Sequence, residues 1–276
     1  MQRRITLAHD APPQPYRCGE VLGVRVDDIP ADRIMDEICD AVASRQRLLV
    51  LNVNAHMLML ARRQLWLLDF LQRADLVFCD GAGIQLASML LNRRNLHRST
   101  PPEWAEALGR RLAPARASVF WIGGEPAVAA CAARNYALAT GTRTVGVQHG
   151  FFDHRPGSTD NRALIEQINR AEPDLLFVNM GMPLQERWLA DHWHLLNTKV
   201  GITAGALIDH LAGRVRRPPR WVANCGLEWA VRLAIEPQRL WRRYLLGLPA
   251  FGAAVANELM LNAIRRDSRA RHESGG

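Results

Sequence analysis

The sequence predicts an α/β fold, a largely parallel sheet flanked by helices, with a helical appendage at the C-terminus. Two observations lead there. Apolar runs of four to six residues, short enough for strands, alternate with stretches of helical spacing from residue 21 to residue 213. Beyond Gly213 the alternation stops, and a basic, proline-broken segment leads into helical stretches with no strand between them.

Taken in order, residues 1–20 carry three prolines and little hydrophobic pattern, which suits a loose arm. They contain no apolar stretch of the secretory-signal kind, so a cytoplasmic location is expected. "VLGVRV" (21–26) is the first strand. "PADRIMDEICDAVASR" (30–45) sets Ile34, Ile38 and Val42 at helical spacing. "LLVLNV" (48–53) is a buried strand that leads into a helix through "HMLMLARR", and "DLVFC" (75–79) leads into "AGIQLASMLL". "ASVFWIGG" (117–124) runs into a glycine turn before the helical "PAVAACAARNYALA" (126–139). "TVGVQ" (144–148), "DLLFV" (174–178) and "KVGIT" (199–203) repeat the theme, each with a helix to follow. The basic "RVRRPPRW" then opens the appendage, with helices at 223–235, 237–247 and about 250–266. The division expected is an arm (1–20), an α/β domain (21–213) and a basic helical appendage (214–276).

The chain has 276 residues and a net charge of +8. From Arg214 onward twelve arginines face five carboxylates, a net of +7, so the preceding 213 residues are nearly neutral. A basic tail on a neutral body suits an anionic partner: nucleic acid, phospholipid or a phosphorylated substrate. Lys199 is the only lysine, and an arginine-biased composition explains most of this excess. The five cysteines are scattered and none forms C-x-x-C, which argues against a disulfide framework or a structural zinc site. The stretch "YLLGLPAFGAAVANELMLNAI" (244–264) is apolar enough to test as a membrane span, but holds Pro249, Asn257, Glu258 and Asn262. A charge near the centre of a spanning helix costs about 2.5–3.5 kcal/mol, so a surface-lying or core-packing helix is expected.

In parallel α/β folds ligands bind at the carboxyl ends of the strands, so chemistry is sought there. Asn52 and Asn54 end one strand; paired amides suit sugar hydroxyls or a base, although Asn54 also suits a helix cap. Asp80 follows the next, ahead of Gly81 and Gly83. It fits either a helix cap or a base for a hydroxyl nucleophile, and the residues alone leave both open. Gly123 and Gly124 end a third strand before a helix, near "VQHGFFD" (147–153), where a phosphate contact and an ordinary tight turn compete. The fourth place is "FVNMGMPLQERW" (177–188), with Gly181, Pro183, Gln185 and Glu186 opening a helix. Glu186 suits the helix dipole, whereas Gln185 has no comparable structural reason. Walker A, G-x-S-x-G, H-E-x-x-H and Asp-x-Asp motifs are all missing from the sequence.

Together, "NVNAHML", "ADLVFCDGAGI", "WIGG", "HGFF", "PDLLFVNMGMPLQERW", "GALIDHLAG", "RRPPRW" and "GLEWAVRLAIEPQRLWRRY" resemble the WecG/TagA/CpsF family of bacterial glycosyltransferases over residues 21 to 247. The resemblance implies a Rossmann-like catalytic domain and an inverting, metal-independent enzyme without a cofactor. Such an enzyme moves a sugar, N-acetylmannosamine, glucose or a related one, from a UDP-sugar to a lipid diphosphate-linked sugar at the inner face of the membrane. It implies that Asp80 is the base and that Pro183, Gln185 and Glu186 line the sugar pocket. Substrate contacts then fall on Asn52, Asn54, Gly81, Gly83, Arg98, Gly123, Gly124, Gly181, Gln185, Glu186 and Asp209. Two departures stand out. Asn52 occupies a position where the family's T-x-N motif has threonine, and "RSTPPEW" (98–104) keeps Arg98 but carries Pro101 and Glu103 for the usual glycine and aspartate.

The leaving diphosphate needs positive charge, and appendage arginines can supply it through bidentate contacts. The candidates are Arg214, Arg217, Arg220, Arg232, Arg239, Arg242 and Arg243, with metal ligands not expected. Arginines beside Trp221, Trp229, Trp241 and Tyr244 also suit an anionic membrane surface, or else a subunit interface in a homo-oligomer. Of the competing readings, a nucleic-acid-binding module leaves Asp80 and Gln185 unexplained, and Asp80 argues against a nucleotide-sugar-binding protein without activity.

Overall fold

Eight strands make one sheet in the order β1-β2-β4-β3-β8-β7-β5-β6, in a computed structural model that describes residues 18–215 and 228–273. The strands are β1 (Cys18–Val21), β2 (Val24–Asp27), β3 (Leu48–Val53), β4 (Leu76–Cys79), β5 (Ser118–Gly123), β6 (Arg143–Gln148), β7 (Leu175–Asn179) and β8 (Val200–Thr203). Only the β1–β2 pair is antiparallel; the rest of the ladder is parallel. The expected strand at 21–26 is thus a hairpin. Leu22 and Gly23 both take positive φ, 53° and 83°, which turns the chain back. β1 also begins inside the segment read as a loose arm, at Cys18.

The sheet is buried on both faces because successive side chains in a strand point to opposite sides. Leu49, Leu51 and Val53 of β3 enter one apolar layer and Val50 the other. The first layer is covered by α2 (Ala55–Ala61), α3 (Leu65–Arg73), α4 (Ala82–Asn92), α7 (Thr159–Ala171) and α8 (Leu184–His192). The second is covered by α1 (Ala31–Ser44), α5 (Pro101–Leu112), α6 (Pro126–Thr140) and α9 (Leu207–Leu211). In the second layer Trp121 stacks on Phe177 at 4.6 Å, with Tyr136 edge-on at 5.0 Å. The altered segment 98–104 has a local explanation. Pro101 is the first residue of α5, where its missing N–H costs nothing, and the Glu103 carboxylate reaches back to the Thr100 N–H at 3.4 Å.

Three further helices follow: α10 (Glu228–Ile235), α11 (Pro237–Trp241) and α12 (Gly247–Glu273), the last two joined by a π-helical turn at Arg242–Leu246. The helix expected at about 250–266 is therefore part of one helix of 27 residues. It packs against α2 and α4 and buries Phe251 and Val255 in the first apolar layer.

The chain builds the sheet from two sides. β1 to β4 occupy one half and β5 to β7 the other, and β8 closes the gap beside β3. Connections diverge at the β3–β8 pair, which opens a crevice at the carboxyl ends of the central strands.

Candidate functional site

The crevice holds two adjoining cavities that share Gly181, Gly205, Ala206, Ile235 and Glu236. The first, about 220 Å³, opens over β3 and β4 and is capped by α10 and the start of α12. The second, about 780 Å³, opens over β5 and β7.

At the floor of the first cavity the end of β3 meets the residue after β4. The Asn52 amide Nδ2 donates to Asp80 Oδ2 at 2.7 Å, and the Asp80 N–H donates to the Val53 carbonyl at 2.8 Å. Asn52 is itself held from behind: Thr203 Oγ1, on β8, donates to Asn52 Oδ1 at 2.8 Å and accepts from the Asn52 N–H at 3.1 Å. Asn52 and Thr203 are buried, whereas Asp80 is half-buried at the cavity wall. Asp80 is not a helix cap, because Gly81 occupies the N-cap of α4 without any side-chain capping bond. Asn54 does cap α2, accepting from the Met57 N–H at 3.1 Å, and lines the cavity as well.

Cations share this cavity with the carboxylate. Arg98, Arg232 and Arg243 line the same cavity. Arg98 is placed by a β-bridge to Cys79 and donates to Glu103 Oε1 at 3.2 Å. His210 Nδ1 lies 3.0 Å from the Val215 carbonyl and so carries its proton there, leaving Nε2 to accept from Arg232 at 3.4 Å. His56 also lines the wall, and burial, together with the Arg243 charge, lowers its pKa to about 4, so the imidazole is neutral at pH 7. The arrangement offers a positioned carboxylate that can take a proton and arginines that can hold a diphosphate.

The second cavity is lined by Gly124, Gly150, Phe151, Asn179, Asp209 and Arg214 among others. Phe151 is 70 % exposed, an open ring face on which a planar group can stack. Asn179 is buried, with its Oδ1 unpartnered. Arg214 pairs with Glu125 at 2.7 Å on the rim. Gly123 stands behind the wall: a Cβ there would lie 2.3 Å from the Asn179 carbonyl oxygen, so the close approach of β5 to β7 needs glycine.

Of the residues expected at a site, Asn52, Asn54, Asp80, Gly81, Gly83, Arg98, Gly181 and Arg232 gather in the first cavity, and Gly124, Gly181, Asp209 and Arg214 in the second. Gln185 and Glu186 line neither. Both are fully buried beneath the shared wall, because α8 turns them into the core while Leu184, the residue before them, faces the second cavity. The Gln185 Oε1 accepts from the Gly205 N–H at 3.2 Å and its Nε2 donates to Glu186 Oε1 at 2.7 Å, so this pair props the loop that separates the cavities. Burial drives the Glu186 pKa up to about 8 against the opposing pull of Gln185 and Arg243. Arg242 points away, over the Trp241 ring at 5.2 Å, and its neighbour Arg243 faces the cavity. Arg217 and Arg220 lie outside the described residues, as does the side chain of Arg239. Thr203, Asn179, His56 and His210 were not singled out by sequence. Thr203 and Asn179 end strands, the one signal that marks them.

Known proteins resemble this chain over most of its length. The family model described as "Glycosyl transferase WecG/TagA/CpsF family" matches residues 19–265. A protein of Bacillus subtilis (strain 168) named N-acetylglucosaminyldiphosphoundecaprenol N-acetyl-beta-D-mannosaminyltransferase is 27% identical over 191 residues, 69% of this chain and 72% of that one. A protein of the same name from Staphylococcus aureus (strain MRSA252) is 25% identical over 241 residues, 86% of this chain and 91% of its own.

Proposed function

Because the chain belongs to the WecG/TagA/CpsF family of glycosyl transferases, we propose that it moves a sugar from a UDP-sugar to a lipid diphosphate-linked sugar. The transfer is inverting and metal-independent and serves bacterial cell-surface polysaccharide synthesis at the inner face of the cell membrane. The sugar is of the N-acetylmannosamine type, glucose or a relative, and the names of the two relatives favour the first and a lipid diphosphate-linked N-acetylglucosamine acceptor.

One observation carries the reading: a carboxylate clamped by an amide at a strand end, on the wall of a cavity shared with three arginines. Asp80 takes the proton of the acceptor hydroxyl. The hydroxyl oxygen forms its bond to the anomeric carbon as the bond to UDP breaks from the opposite face, and that electron pair leaves on the β-phosphate oxygen. The transition state is oxocarbenium-like, with negative charge growing on the diphosphate. Arg232 and Arg243 stand where such charge can be met without a metal, and Arg98 sits closest in sequence to the base's strand. The second cavity suits the nucleotide: Phe151 offers a ring to stack on uracil, and Asp209 an acceptor for ribose hydroxyls. The appendage arginines in the undescribed stretch, Arg217 and Arg220, are assigned to diphosphate on charge alone.

The test is turnover of a UDP-sugar panel with a lipid diphosphate-linked N-acetylglucosamine acceptor. Asp80→Asn is expected to abolish transfer while the protein still binds UDP, since the amide keeps the shape and the Asn52 contact but cannot take a proton. Near-normal turnover by this variant refutes the assignment of the base.

A further inference from the structure

Two helices begin at the first cavity and pack against one another. α4 starts at Ala82 and α12 at Gly247, and both residues line the cavity wall. The helices touch where Gly83 faces Phe251, since a Cβ on Gly83 would stand 3.8 Å from that ring. Residues 83, 86 and 90 share one stripe of α4, being separated by close to whole helical turns. Leu86 and Leu90 therefore extend the stripe that meets α12. Together with Met89 they are about half exposed.

On α12 the stripe of Phe251, Val255 and Leu259 faces the core. The opposite stripe, Gly252, Ala253, Ala256, Met260, Ala263 and Ile264, is exposed and interrupted by one polar residue, Asn257. A helix that is apolar on both sides is satisfied only by an apolar partner on both sides. The charges say which partner. Residues 82–95 contain no carboxylate, and between 242 and 265 the only one is Glu258, on the half-buried side of the helix. Arg93 and Arg94 at the end of α4, and Arg242 and Arg265 flanking the apolar part of α12, are exposed.

We propose that the paired faces of α4 and α12 form one surface that enters an anionic lipid bilayer, so that the α/β body itself, and not the basic tail alone, sits in the membrane interface. The inference deepens the proposed function and rests on its lipid-linked acceptor. With both helices starting at the cavity, the acceptor's diphosphate stays beside Asp80 and the arginines while its lipid chain leaves along the α4–α12 face. The helical stretch Arg242–Arg265, the π-helical turn together with most of α12, is long and apolar enough to cross a membrane. Crossing would pull Phe251 and Val255 out of the core, whereas lying flat against the body keeps them in place and still wets the outer stripe with lipid.

The experiment is co-sedimentation of the full chain with vesicles of phosphatidylcholine, with and without phosphatidylglycerol. The parent is expected to bind the anionic vesicles and to bind the neutral ones less. The triple variant Leu86→Gln, Met89→Gln, Leu90→Gln is expected to lower the partition coefficient roughly ten-fold or more, given the apolar area withdrawn from lipid. Circular dichroism and thermal melting check that the variant folds. Should it not, Arg93→Glu alone, on the exposed end of α4, is expected to weaken binding to anionic vesicles only. Unchanged partitioning of a folded triple variant, or a parent that ignores anionic vesicles at low salt, overturns the proposal. So does a triple variant that dissociates a dimer in sedimentation yet still binds vesicles, which would assign the face to a second copy. Transfer to a water-soluble acceptor analogue is read in parallel: if the parent fails there, the proposed reaction falls while the vesicle result stands by itself.

Discussion

Replacing Glu186 with glutamine tests whether a neutral acid lies under the site. The side chain is fully buried, Oε1 accepts from Gln185 at 2.7 Å, and Oε2 has no partner. Burial raises its pKa from 4.5 to about 8. An acid whose folded pKa is raised contributes stability that is whole below the unfolded value and is lost as pH rises through the folded one. At about 1.4 kcal/mol per unit, a shift of roughly 3.5 units costs the parent at most about 5 kcal/mol by the alkaline end. Glutamine keeps an oxygen for Gln185 and does not ionise. Glu186→Gln is therefore expected to match the parent near pH 4 and to exceed it by a margin that grows through neutrality and levels off above pH 8. Urea unfolding of both proteins across that range measures the gap. Because the Gln185–Gly205 contact survives, transfer at neutral pH should stay within a few-fold of the parent. A stability gap that does not change with pH, or a variant that becomes the less stable one in alkali, refutes the neutral buried acid.

Thr203→Val removes both bonds from Thr203 to Asn52 without changing shape, leaving a buried amide oxygen and a buried N–H unsatisfied. It should cost about 1–3 kcal/mol of stability and lower kcat with little change in KM, and Thr203→Ser should restore much of the rate; equal kcat in the valine variant would show that Asn52 needs no such support. Transfer should survive EDTA if, as proposed, the arginines that line the first cavity take the part of a metal; loss on chelation with rescue by Mn²⁺ or Mg²⁺ would sink that assignment.

The sequence by itself determined the alternation of strands and helices and the positions of Asn52, Asp80 and Gly181, because these lie where apolar runs end, and a buried strand ends where its apolar run does. It also determined the family, through motifs spread over most of the chain. Other features were decided only by tertiary structure. Leu22 and Gly23 split one apolar run into a hairpin, which depends on positive φ that the run does not advertise. Thr203 stands behind Asn52 although 151 residues separate them, because β8 inserts next to β3 in the sheet. Gln185 and Glu186 occupy the first turn of a helix, and sequence spacing does not say which way that turn faces; the docking of α8 turns them inward to prop a loop. Arg242 and Arg243 are chemically identical, but neighbours on a helix point in different directions. Which of them meets the cavity depends on how α12, which continues from their turn, packs against α2 and α4, a long-range fit that no local pattern encodes.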